Sequence, residues 1–426
     1  MEQTKGKGQG VRRAVDTTRH HRENGWDYRG RAVYHFTFPV EGRFPLFGTL
    51  EGESAERAFI KLNPFGYRVY QILCGLPQFY AAKGFALKVL AQKVMPDHIH
   101  LVIQVLEPLS QSIGAVVRGF KSACTMVYKQ EFLSCGENAA EVHSIANRQG
   151  NAAEVHSIAN RQGNATEVHS IANRQGNAAE VHGRASQQGN AAAFMHFARI
   201  FANRNSIWQQ DAAYYHERIL HAPGQLNRMI NYVKDNPRRL WLKKNNPDLF
   251  RLHRHTEMCG LSFTSLGNHF LLDWHDNQTV EMPRNATVEQ VQKRLQLAMA
   301  AAQNGAVTYT AAISKGEQLI ARTLRKQGYP LVVLLSDGFP KEGSPHERFY
   351  KPGGIYFEAC SKGQLLLLEP TEQTFLNEDI QSAVEGTLRR KAAERHYDYK
   401  QIPPTSQRYR FVALNEIAKR LARIER

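Results

Sequence analysis

The pattern of apolar and polar positions divides the chain into two stretches of different texture. In the first, RAVYHFTFPV (Arg31 to Val40) alternates like a half-buried strand. NPFGYRVYQIL (Asn63 to Leu73) has helical spacing, with Asn63 placed as an N-cap and Pro64 at the first helical position. FALKVLAQKV (Phe85 to Val94) and HIHLVIQVL (His98 to Leu106) read as two strands joined by the turn Met95-Pro96-Asp97. A long helix follows, from about Ser110 to Phe132. DAAYYHERIL (Asp211 to Leu220) is a further strand, and PGQLNRMINYVKDNP (Pro223 to Pro237) a helix that Pro237 is expected to stop. The predicted order is β-α-β-β-α-β-α, an α+β plan of ferredoxin-like class with an antiparallel sheet and one extra helix.

The second stretch reads differently. QVQKRLQLAMAAAQNG leads into AVTYTAA, GEQLIARTLRKQG into YPLVVLLS, and IYFEACSKG into LLLLEP. Helices alternating with short, continuously apolar strands predict parallel βαβ units buried on both faces. The second domain, placed at 254–426, is therefore expected to be α/β of Rossmann-like class. No GxGxxG follows any of its strands, so dinucleotide binding has no support. Ser314-Lys315-Gly316 before a helix would suit either a phosphate at the helix N-terminus or an ordinary βα turn.

Residues 1–30 are Gly-rich and basic and read as a flexible arm, which places the first domain at 31–250. That domain is interrupted over 136–193 by a repeat. GNAAEVHSIANRQ recurs with a period of 13, setting Asn138, Asn151, Asn164, Asn177 and Asn190 in register. Thirteen residues advance an ideal helix by about 220° beyond whole turns, so His143, His156, His169 and His182 would share no face. A multivalent binding array and a tolerated tandem duplication both remain open. Long loops add little closure cost, so the segment is expected to be dispensable.

Composition narrows the function. A hydrophobic fraction of 42% fits a globular protein, and no apolar run reaches spanning length, so no membrane association is expected. The formal net charge of +16 favours polyanionic partners, because Lys and Arg neutralise phosphates and release counterions. Five scattered cysteines without a CxxC argue against a disulfide framework or a zinc ribbon. With no signal peptide visible, the expected location is cytoplasmic.

The chemistry concentrates in MPDHIHLVIQV. On a strand, Ile99, Leu101, Ile103 and Val105 make one apolar face, while His98, His100, Val102 and Gln104 occupy the other. The two imidazoles project in parallel, close enough to hold one metal ion, although such pairs in strands also serve structure alone. Tyr232 and Asn236 lie four apart on a predicted helix and so share a face. A phenol and an amide oxygen presented together suit a nucleophile and a third ligand. A core tyrosine and a residue preceding a proline stop would give the same spacing.

Taken together, these segments resemble a known family. His98-Ile99-His100 looks like the His-hydrophobic-His (HUH) motif of single-tyrosine transposases. Tyr232-Val233-Lys234-Asp235-Asn236-Pro237 is similar to the signature of REP-associated tyrosine transposases, relatives of the insertion-sequence-200-like enzymes. Met95-Pro96-Asp97, Phe120-Lys121-Ser122 and Trp208-Gln209 match as well, and the likeness spans about 30–250 without the repeat.

The resemblance implies a transposase that cleaves and rejoins single-stranded DNA at palindromic or hairpin repeat elements through a 5′-phosphotyrosine bond at Tyr232. His98, His100 and Asn236 would hold Mg²⁺ or Mn²⁺. Lys121, Lys129, Arg238, Arg239, Lys243 and Lys244, with Arg12 and Arg13 in the arm, would track the DNA. The protein would work as a monomer or homodimer. The second domain resembles those of DNA-processing and nucleotide-sensing proteins. A catalytically silent DNA-binding relative and a nucleotide-binding regulator acting through the second domain are the alternatives.

Overall fold

The computed structural model describes residues 23, 25–133, 206–209, 216–340, 354–396, 398, 400 and 402–423. Arg12 and Arg13, the 13-residue repeat, and Tyr214 and Tyr215 lie outside the described residues; the last residues of the expected flexible arm are packed instead, with Tyr28 buried in the first core and the Arg29 and Tyr28 carbonyl oxygens accepting from the Leu109 and Ile113 amides. Contacts divide the described residues into two units, one ending at Trp241 and one beginning at Leu242. The first holds an antiparallel sheet with helices and the second a mixed α/β sheet, an α+β unit followed by an α/β unit.

In the first unit, the elements are β1 (Ala32–Pro39), β2 (Gly48–Glu51), β3 (Phe59–Leu62), α1 (Pro64–Ala81), β4 (Leu87–Val94), β5 (His98–Val105) and α2 (Gly114–Val127). They continue with β6 (His216–Ile219), α3 (Gln225–Lys234) and the start of α4 (Asn236–Asn245). The main sheet has the order β4-β5-β1-β6, antiparallel throughout. β2 and β3 form a separate hairpin that the sequence pattern did not reveal. α1 begins as its sequence dictates, with Asn63 Oδ1 accepting from the Gly66 amide at 2.7 Å and Pro64 in the first turn. Gly66 is required there, since a Cβ would come within 1.9 Å of the Phe47 carbonyl oxygen.

The two faces of this sheet are built unlike each other. Phe36 and Phe38 of β1 join Ile99, Leu101 and Ile103 of β5 in one core with Phe65, Val69 and Leu73 of α1 and Val116, Val117 and Phe120 of α2. The opposite face is covered by α3, through a smaller cluster of Val102, Leu220 and Val233 with Val33, Ala91, Met229 and Tyr232 packed on it. Pro237 does not stop the helix as expected. α3 ends at Lys234, and Pro237 occupies the first turn of α4, where a missing N–H costs no hydrogen bond.

In the second unit, α4 runs on to Asn245, followed by α5 (Pro247–Phe250), β7 (His253–Met258), β8 (Leu261–Gly267), β9 (Asn277–Thr279), α6 (Val288–Gln303), β10 (Val307–Thr310) and α7 (Lys315–Lys326). Then come β11 (Leu331–Leu334), α8 (Gly354–Ser361), β12 (Leu365–Pro370), α9 (Glu372–Phe375), α10 (Glu378–Arg395) and α11 (Gln407–Ala422). β9, β10, β11 and β12 are parallel neighbours in chain order, as the alternating helices and apolar strands require. Two features escaped the sequence pattern. The β7-β8 hairpin extends the sheet antiparallel to β12. The parallel strands also progress without a reversal of order, so they contain no topological switch point. Leu331, Val333, Leu365 and Leu367 pack with Ile320 and Leu324 of α7 and Phe357 of α8. Val332, Leu334, Leu366 and Leu368 pack with Ile380 and Val384 of α10 and Leu414 and Ile417 of α11. The turn before α7 is an ordinary capped βα turn. Ser314 caps the helix, and the buried Glu317 carboxylate accepts from the amides of Met282 (2.8 Å), Ile313 (2.5 Å) and Ser314 (3.0 Å). A carboxylate of the protein itself therefore satisfies these donors. Among the described residues, no helix is long and apolar enough to cross a membrane.

Candidate active site

The candidate site lies on the α3-covered face of the first sheet. Register fixes its members before any side-chain contact is considered. Thr37 is opposite His100, His35 opposite Val102 and Pro39 opposite His98 on β1. On β4, Lys93 is opposite His100, after a bulge between Val89 and Ala91. Directly opposed residues share a face, so His35, Thr37, Lys93, His98 and His100 all point the same way.

The turn into β5 is pinned from three sides. The amides of Val40 and Phe47 donate to the carbonyl oxygens of Asp97 (2.9 Å) and Pro96 (3.0 Å), and the Met95 amide to that of His98 (2.8 Å). His98 is thereby held at the mouth of the strand. Its Nδ1 lies 2.5 Å from Asp97 Oδ1, while Arg43 Nε lies 3.3 Å from Asp97 Oδ2. Burial pushes the Asp97 carboxyl upward, but the hydrogen bond and charge of His98, with the Arg43 guanidinium, outweigh it and hold the pKa at about 2. A carboxylate only accepts, so His98 Nδ1 carries a proton and donates it to Asp97, which turns Nε2 toward the site.

His98 Nε2 and His100 Nε2 face each other at 3.1 Å, with the rings at 89°. His100 is only 3% exposed. Its Nδ1 meets Thr37 Oγ1 at 3.0 Å and His35 Nε2 at 3.1 Å. The phenol ring of Tyr232 stands edge-on to His100, centroids 5.4 Å apart at 74°, and the His35 ring is 6.4 Å from it. The Arg239 guanidinium covers the Tyr232 ring at 5.6 Å.

Asn236 is 6% exposed and donates from Nδ2 to the Tyr232 carbonyl oxygen at 2.8 Å. Its carbonyl oxygen is left as the acceptor of the side chain. The four residues of the sequence motif thus come together as His98 with His100, His100 with Tyr232, and Tyr232 with Asn236.

The basic residues are distributed less simply than their sequence positions suggest. Lys121 is 8% exposed and belongs to the helical layer on the opposite sheet face, where burial lowers its pKa to about 8. Its carbonyl oxygen accepts from Trp208 Nε1 at 2.9 Å, which explains the Trp208-Gln209 pair as a clamp between α2 and the end of β1. Lys129 is exposed just beyond α2. Arg238 and Arg239 both engage Asp235, at 2.6 Å and 3.7 Å, and Arg239 is buried. Lys243 and Lys244 occupy the last turn of α4, past the division between the units. Sequence reasoning missed His35, Thr37 and Lys93. Alternation along β1 marks His35 and Thr37 as one-face neighbours, but only the β1-β5 register shows that they meet His100.

Two imidazole nitrogens converging at 3.1 Å, each with its other ring nitrogen held by the protein, form a donor set that fits a divalent cation. Among the described residues, no group of three His, Cys, Asp or Glu side chains is arranged to hold a metal ion.

Residues 75–144 match the family model for IS200-like transposases, a segment that contains β4, β5 and α2 and both site histidines. The segment is similar to that family, and the likeness supports a transposase role in general, with DNA as the partner. No curated protein matches the chain.

Proposed function

We propose that the first unit is a metal-dependent single-strand DNA transposase or endonuclease of the REP-associated tyrosine type, on a ferredoxin-like sheet. It is followed by an α/β unit of Rossmann-like class whose ligand we leave unassigned. The observation that carries this reading is the packing of Tyr232 against His100, 5.4 Å between centroids. It puts the one phenol of the motif beside the histidine pair, although the two segments are more than a hundred residues apart in sequence.

His98 Nε2, His100 Nε2 and Asn236 Oδ1 would hold Mg²⁺ or Mn²⁺. When bound, that ion would polarise a phosphoryl oxygen and offset the charge that develops there. Tyr232 Oη attacks the phosphorus in line. One P–O bond forms to the tyrosine as the bond to the 3′-oxygen breaks; the phenol loses its proton and the departing 3′-oxygen gains one. The phosphodiester energy is kept in the phosphotyrosine, so a second 3′-hydroxyl can reverse the step and join strands. Asp97 orients His98, and Arg239 lies over the Tyr232 ring, where its positive charge would favour loss of the phenol proton. Lys129 and the lysines of α4 are the basic residues we assign to DNA backbone contacts, along with the arm arginines Arg12 and Arg13.

The direct test is incubation of the protein with labelled single-stranded hairpin DNA and Mn²⁺, then mapping of the modified peptide by mass spectrometry. A covalent adduct on Tyr232 is expected. An adduct on Tyr214 or Tyr215, or full cleavage by Tyr232→Phe, would refute the assignment.

A further inference from the structure

We propose that His35 and Thr37 are positioning residues for His100, jointly accepting a proton from its Nδ1 and so turning the Nε2 lone pair toward His98 Nε2. The inference rests on the metal reading above. For His98 the proton on Nδ1 is decided by chemistry alone, because Asp97 Oδ1 at 2.5 Å can only accept. The Nδ1 of His100 is bracketed by two β1 side chains, Thr37 Oγ1 at 3.0 Å and His35 Nε2 at 3.1 Å, and each of these can donate or accept. Both acceptors are there because residues two apart on a strand share a face and because Thr37 is registered opposite His100. His35 is 7% exposed and within 24° of parallel to His100, so its nitrogen is held in place by packing.

The test uses the full chain with ¹⁵N-labelled histidine. Long-range proton–nitrogen spectra are expected to place the His100 proton on Nδ1 with saturating Mg²⁺, assigned by loss of the signals in His100→Gln. A proton on His100 Nε2 with Mg²⁺ bound would overturn the proposal. In parallel, Mn²⁺ affinity is read from the free-ion electron paramagnetic resonance signal. The double variant His35→Phe/Thr37→Val should bind Mn²⁺ about 10–100-fold more weakly, the range for loss of a hydrogen-bond partner behind a metal ligand. Each single variant should lose less, because one acceptor remains. Unchanged affinity in the folded double variant would also overturn it. If the double variant fails to fold, the wild-type spectra still decide. Wild-type protein that binds no Mn²⁺, or binds it equally after His98→Ala, would remove the metal reading itself and this inference with it.

Discussion

On β5, His98 and His100 face one way and Ile99, Leu101 and Ile103 the other, whereas on β11 Leu331 and Val333 face one way and Val332 and Leu334 the other. Both strands are covered on both sides. The first sheet has a large apolar core on one face and, under α3, a layer in which imidazoles, a threonine and a phenol meet. The second sheet has two apolar layers, and its buried strand hydroxyls are tied to local partners, Thr310 Oγ1 to the Val280 carbonyl oxygen and Thr308 Oγ1 to Gln278. Polar groups under a helix cost free energy unless each is satisfied. In the first unit histidines, a threonine and a phenol meet one another; in the second the polar groups tie strands to neighbouring side chains and backbone, as Ser265 Oγ does with Thr256 Oγ1 and His269 Nε2.

If that contrast separates chemistry from scaffold, substitutions in the two sheets should fail differently. Tyr232→Phe should lose covalent adduct by about 10³-fold or more in strand-cleavage assays. It should melt like wild type and still retain hairpin DNA in gel-shift experiments. Adduct formation by that variant would dissolve the contrast.

Leu367→Ala, at a fully buried position of β12, should cost about 2–5 kcal/mol of stability by denaturant unfolding, through lost burial and the cavity left behind. The folded fraction should form the Tyr232 adduct at the wild-type rate. A loss of adduct in folded Leu367→Ala would mean that the second sheet takes part in the reaction.

Asn236→Ala should weaken metal-dependent cleavage by at least roughly tenfold, since even partners behind a ligand contribute that much. The expected signature is a higher Mn²⁺ requirement with DNA retention unchanged. Equal Mn²⁺ dependence in the variant would reduce Asn236 to a helix-start residue held by its bond to the Tyr232 carbonyl.

The smallest effect concerns Lys121, in the apolar layer of the first unit. Burial lowers its folded pKa to about 8, against about 10.4 unfolded. Between those values the unfolded state binds more protons, so stability should rise with pH across that window. Below about pH 8 both states carry the proton and the contribution is flat. Melting temperatures of wild type relative to Lys121→Met should therefore climb from pH 8 to pH 10; a constant difference would show that burial does not lower the folded pKa.

The sequence determined a good deal by itself. Alternation in HIHLVIQV set which side chains of β5 share a face, because strand geometry allows no other outcome. Asn63-Pro64 fixed the start of α1, and the apolar runs of β10, β11 and β12 announced strands buried on both faces. It misjudged Pro237, which reads as a stop yet is equally at home in a first turn, and it counted Lys121 with the surface because charge carries no information about burial. Only the tertiary structure decided that α3 covers the histidine face, that β1 lies beside β5, and that His35 and Thr37 close on His100 from a strand more than sixty residues earlier. Local pattern follows from the backbone period of two or 3.6, whereas a site is made where distant segments meet. That meeting depends on register and packing, which no single segment encodes.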